Sequence, residues 1–175
     1  MTSAERIFLV GPAGAGKTTI GRQLAKLLGR EFVDSDSVVE QRAGADIPWI
    51  FDVEGEAGFR ERETQVLQEL AALPSAIVAT GGGIILSERN RQLLKSEGVV
   101  VFLTISVSEQ FRRTGRDGKR PLLATGDRLA TLEKMRVERE PLYLEVADIK
   151  MSAGGRSAKR VAQAIVDALT QRQLI

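Results

Sequence analysis

The stretch RIFLVGPAGAGKTTI, Arg6 to Ile20, decides the architecture of this chain. Its first five residues, RIFLV, form a short and nearly continuous apolar run, the pattern of a strand buried on both faces. GPAGAGKT, Gly11 to Thr18, then matches G-x-x-x-x-G-K-[ST] in full. Downstream, Ile20, Leu24, Leu27 and Leu28 share one stripe of a helix that begins near Lys17 and is stopped by Gly29. Strand, glycine-rich loop and helix, in that order, are the context a phosphate-binding loop requires. Glycines let successive backbone N–H groups turn inward onto phosphate oxygens, and the helix N-terminus adds its partial positive charge. Gly14, Ala15, Gly16, Lys17, Thr18 and Thr19 are therefore expected to hold a nucleoside triphosphate. Lys17 would neutralise its β- and γ-oxygens, and the Thr18 hydroxyl would hold Mg²⁺. A plain strand-to-helix turn would explain the glycines but not the agreement of motif and context.

Working outward, further apolar runs occur at EFVD (31–34), AIVAT (76–80), VVVFL (99–103) and VADIKM (146–151). Segments of helical period separate them. Phe59, Val66, Leu67 and Leu70 mark one helix ended by Pro74, and Val161, Ile165 and Leu169 mark another near the C-terminus. Such alternation predicts an α/β three-layer sandwich built on a parallel sheet. At 175 residues the chain reads as a single domain over residues 1–175. TGRDGKRPLLATGD, Thr114 to Asp127, is the least patterned part and reads as a long mobile loop.

Composition removes several classes of function. The chain has no cysteine and no histidine, which rules out disulfides, thiolate or Ser-His-Asp nucleophiles and zinc sites of the usual ligands. Acid–base chemistry must then come from Asp, Glu, Lys or Tyr. A net charge of only +2 and 5% aromatic residues argue against a nucleic-acid surface. No apolar stretch is long enough for a membrane span or a signal peptide, so a cytoplasmic protein is expected.

FVDSDS, Phe32 to Ser37, places two carboxylates where a strand gives way to a helix. Ligands gather at the carboxyl ends of parallel strands, so Asp34 and Asp36 should share a cleft with the phosphate loop. On an extended segment, residues i and i+2 point the same way. One acid would support Mg²⁺, directly or through water, and that role is assigned to Asp34. A second is superfluous for the metal, but a kinase also needs an acceptor for the proton of the attacking hydroxyl. Asp36 takes that role. The competing use, capping the helix over Val38–Ala43, is compatible with both.

GPAGAGKT, DSD, GFRERE, ATGGGI, KRPLL and EREPLY occur in the order and rough spacing of the bacterial shikimate kinases. The chain resembles that family from about Arg6 to its final helix. The resemblance implies the nucleoside-monophosphate-kinase type of fold, with a five-stranded parallel sheet in the order 2-3-1-4-5. A substrate-binding insertion at about 35–62 and a lid at about 112–127 come with it. It also implies MgATP-dependent phosphorylation of the 3-hydroxyl of shikimate, a step toward chorismate. By family position, Arg60 and Arg139 bind the shikimate carboxylate, which suits a planar guanidinium. Glu63, one turn after Arg60, could orient it, although an ordinary surface ion pair is the alternative. Gly82 is the family's shikimate contact, in a run of three glycines that lets a ligand approach the backbone; a strand-exit turn of positive φ is the other reading.

Arg120, in the lid, would reach the transferring phosphate, while Arg113 lies by position against the adenine. Arg156 is the candidate for a further adenine contact from the loop MSAGGRSAK. Trp49, the lone tryptophan, is expected to pack in the core and shape the pocket, with Phe59 beside it. A monomer is the default. Gluconate kinase, a nucleoside-monophosphate kinase and a catalytically dead ATP-dependent switch are the rivals. DSD, GGG and RPLL argue against the first; the presence of Asp36 and Arg120 argues against the last.

Overall fold

A computed structural model of the chain describes residues 4–115 and 127–175. Among the described residues, five strands and seven α-helices alternate. They are β1 (Arg6–Val10), α1 (Lys17–Leu28), β2 (Glu31–Asp34), α2 (Ser35–Ala43), α3 (Ile47–Leu70), β3 (Ala76–Ala79), α4 (Glu88–Glu97), β4 (Val99–Thr104), α5 (Val107–Thr114), α6 (Arg128–Val146), β5 (Ile149–Ser152) and α7 (Ala158–Gln171). The strands form one parallel sheet in the order β2-β3-β1-β4-β5, with Ile7 paired to both Ile77 and Val99. This is the expected sandwich and strand order.

Side-chain alternation along the strands divides the core into two layers. Phe8, Val10, Val78, Val100 and Phe102 face α2, α3, α4 and α6, whose Val39, Ile50, Leu67, Leu94 and Tyr143 close over them. Ile7, Leu9, Ile77, Val101 and Leu103 face the other way, onto Ile20 and Leu24 of α1 and Val161, Ile165 and Leu169 of α7. β1 is buried on both faces because it is central, which is why RIFLV carries no alternation in hydropathy. Among the described residues, no helix is long and apolar enough to cross a membrane.

Two expectations need revision, and one feature is new. The run VADIKM is not one strand: Val146 completes α6, and β5 begins only at Ile149. Trp49 is not a core anchor, for it stands 49% exposed on α3. Its neighbour Ile50 takes the buried position, and Phe51 meets Phe59 with ring centroids 5.1 Å apart. Lastly, the 24-residue α3 is interrupted at Gly55, whose angles (φ 74°, ψ 176°) are not helical.

Candidate active site

The carboxyl ends of β1, β2 and β3 open into one cleft of about 570 Å³. β1 delivers the glycine-rich loop. Gly14 and Gly16 both take positive φ, 84° and 89°, which aims the loop around the start of α1. Lys17 folds its ammonium back over that loop, donating to the Gly11 carbonyl at 2.6 Å and the Pro12 carbonyl at 3.0 Å. Gly14, Gly16, Lys17, Thr18 and Thr19 line the cleft, while Ala15 is buried in the core layer beneath. Arg113 comes over from α5, donating to the Gly14 carbonyl at 3.1 Å and to Glu109 at 2.6 Å.

β2 delivers the two aspartates, by a different geometry from the extended pair expected. Asp34 ends the strand and caps α2; Asp36 already lies in the first helical turn. Oδ1 of Asp34 accepts from the backbone N–H groups of Asp36 and Ser37, at 3.0 and 3.3 Å. Its Oδ2 accepts from the Thr18 hydroxyl at 2.7 Å. Capping and the site therefore use one carboxylate at once, and Asp34 with Thr18 supplies two hard oxygens beside the phosphate loop. Among the described residues no three acids converge on an ion site. A small divalent cation here would take its remaining ligands from phosphate and water, the habit of Mg²⁺.

Asp36 looks into the same cleft with different surroundings. Its Oδ1 is buried and has no hydrogen-bond partner among the described residues. Burial, and then the charge of Asp34, push its carboxyl up to about 6, against the opposing pull of Lys17 and Arg60. That keeps it mostly ionised at neutral pH yet more basic than an exposed aspartate, as suits a proton acceptor.

β3 delivers the three glycines, and the positive-φ turn that was one of the two expected reasons is absent. None of Gly81, Gly82 and Gly83 has positive φ. Polar side chains press against Gly81 and Gly83, and Gly82 has one at ordinary contact distance. A Cβ on Gly81 would meet Asp36 Oδ1 at 2.7 Å and Glu63 Oε2 at 3.1 Å, and one on Gly83 would meet Arg60 Nη1 at 2.4 Å. A Cβ on Gly82 would sit 3.6 Å from Arg139 Nη1. The bare backbone is thus the floor on which four functional side chains rest.

Arg60 and Glu63 are not a surface pair. Glu63 is 1% exposed and accepts from Arg60 Nη1 at 3.1 Å, and its Oε2 is buried without a partner among the described residues. Desolvation pushes Glu63 up to about 7, in spite of Arg60. A carboxyl raised in the folded state stabilises below its unfolded value and loses that contribution as pH rises through the folded one. Thermal stability of the wild type should therefore drop between about pH 5 and pH 8 by more than that of Glu63→Gln. Equal slopes in a melting series would show that Glu63 keeps an ordinary acidity.

Sequence reasoning gave no role to Tyr143, whose hydroxyl donates to the Gly82 carbonyl and whose ring stacks on Phe102 at 4.9 Å. The signal was present in EREPLY: Tyr143 follows Arg139 by one helical turn and shares its face. Of the expected residues, the cleft gathers Lys17, Thr18, Asp34, Asp36, Arg60, Gly82, Arg113 and Arg139. Arg156 is not among its lining; it donates to the Ser152 carbonyl at 2.7 Å in the loop after β5. Arg120 and most of the expected lid lie outside the described residues.

The chain as a whole is similar to known proteins. Residues 13–170 match the family model described as shikimate kinase. The chain is 51% identical over 173 residues to a shikimate kinase of Actinobacillus pleuropneumoniae serotype 5b, covering 99% of this chain and all of that one. Its structure superposes on that of a shikimate kinase from Acinetobacter baumannii in complex with shikimate, with a TM-score of 0.96 and 48% identity over 99% of this chain and 97% of the other. A gluconokinase from Sinorhizobium meliloti 1021 gives a TM-score of 0.58 at 16% identity over 99% and 97% of the two chains, a likeness of fold alone.

Proposed function

The chain belongs to the shikimate kinase family, and from that premise we propose how its residues divide the work of phosphorylating the 3-hydroxyl of shikimate. Shikimate kinase activity, with ATP as donor, places the protein in aromatic amino acid biosynthesis. The observation that carries the residue roles is the unpartnered Oδ1 of Asp36, a buried acceptor facing the cleft. A buried polar atom left unpaired is costly, and an alcohol donating to it removes that cost. Asp36 thereby orients the attacking hydroxyl and takes its proton as the new O–P bond forms and the bond from the γ-phosphorus to the leaving ADP oxygen breaks.

Arg60 and Arg139 flank the glycine floor and bind the shikimate carboxylate, with Glu63 holding the Arg60 guanidinium from behind. The amides of the loop from Gly14 to Thr19 cradle the triphosphate. Lys17 exchanges its carbonyl partners for the β- and γ-oxygens, and Arg113 lies beside the nucleotide. Thr18 and Asp34 fit a Mg²⁺ ion, Asp34 directly or through water. When bound, the ion neutralises charge on the phosphate oxygens. Arg120 and Arg156 are assigned to the transferring phosphate and the adenine on the family pattern alone. A monomeric, single-domain enzyme of the cytoplasm is part of the same reading.

The decisive assay supplies MgATP with shikimate, gluconate or AMP in separate reactions and follows ADP release. Turnover is expected on shikimate alone; turnover on gluconate or AMP without shikimate overturns the reading. Arg139→Ala should raise the KM for shikimate by about 10- to 100-fold, the worth of a charge-assisted contact, with little change in the KM for ATP. An unchanged KM would place the carboxylate elsewhere.

A further inference from the structure

The acceptor end of the cleft is built from both halves of a broken helix. Ahead of Gly55, Ile47 and Phe51 line it; behind, Phe59, Arg60 and Glu63 do. The angles at Gly55 (φ 74°, ψ 176°) belong to a region that other residues enter only with strain. With a one-residue joint, the angle between the halves is set by contacts made across it. One is the Phe51–Phe59 ring pair, and another is the burial of Ile50.

The third contact is ionic. Arg62 grips the Glu54 carboxylate in a fork, through Nε at 3.0 and 3.2 Å and Nη2 at 2.9 Å. Glu54 belongs to the front half and Arg62 to the back. Glu54 folds back so far that its Cβ lies 2.5 Å from where a Cβ on Gly58 would be. In a regular helix, Cβ atoms four residues apart stand about 5–6 Å apart. The bend brings Glu54 over the following turn, and Gly58 leaves it room. Glu54 and Arg62 keep roughly a third of their surface in water, and neither lines the cleft.

From this geometry we propose that Glu54 and Arg62 are a latch across Gly55, positioning Ile47 and Phe51 against the acceptor and so setting its affinity without touching it. The inference rests on the shikimate kinase reading of the cleft. An exposed ion pair contributes little to overall stability, so the latch shows itself in binding rather than in melting. Bidentate geometry is what suits this pair to the task, because it fixes direction as well as distance.

The test compares wild type with Glu54→Gln, Arg62→Gln and the reversed pair Glu54→Arg with Arg62→Glu, all in the full chain. Each single change is expected to raise the KM for shikimate by about 3- to 10-fold, with kcat and the KM for ATP within about two-fold. The reversed pair should recover most of the loss. Calorimetric titration with shikimate gives the affinity apart from turnover and should weaken in parallel. An unchanged shikimate affinity in the single variants, or a reversed pair no better than either, overturns the latch. Failure of the wild type to turn over shikimate would instead overturn the functional reading, before any variant is made.

Discussion

Replacing Asp36 by asparagine is expected to lower kcat by about 10²- to 10⁴-fold while leaving ATP affinity unchanged. The amide nearly matches the carboxylate in size and can still accept a hydrogen bond from an alcohol. It cannot take the proton. The substitution therefore separates a group that removes a proton from one that only orients its bearer, and loss of orientation alone should cost far less. ATP affinity is preserved because the phosphate cradle is built from β1 and α1, whereas Asp36 stands on α2. Turnover within a few-fold of wild type would remove Asp36 from the proton-acceptor role.

The second large effect requires only one methyl group. Gly81→Ala would set a Cβ 2.7 Å from Asp36 Oδ1 and 3.1 Å from Glu63 Oε2. Both atoms are ends of side chains, so the backbone has no need to move; the reactive groups move instead. A displacement of about 1 Å at a reacting centre can cost on the order of 10²-fold, and kcat should fall by about that much. Melting temperature should stay close to that of wild type. Full activity would mean that Asp36 works from another position, whereas gross unfolding would mean that the glycine serves the sheet and not the site.

Much of the architecture was legible before the structure. Continuous apolar runs identified the buried strands, and GPAGAGKT fixed the direction in which the first strand exits. Strand order was not legible from pattern, because hydropathy records burial and not neighbours; it came from resemblance to relatives. The site was legible as a roster rather than as a geometry. Asp34 and Asp36 read as neighbours on an extended chain, but the cap formed by Asp34 starts the helix at Ser35, before Asp36 is reached. Scarcity of aromatics suggested an inward Trp49, yet the adjacent Ile50 fills the core position. The break at Gly55 was not legible, since a lone glycine within a helical run is tolerated as well as it interrupts one. The crowding around Gly81 to Gly83 is a matter of distances between separate elements, which no local pattern encodes.

The two walls of the acceptor pocket differ in how freely they can change over generations. At Gly81 and Gly83 of the strand exit, even the smallest added side chain strikes a group that serves the chemistry, so those positions resist gradual change. The facing wall, with Ile47 and Phe51 on the short segment ahead of the bend, admits exchanges of size and shape without disturbing the reacting atoms. New acceptor preferences in descendants of this enzyme should therefore arise from that side, one apolar residue at a time.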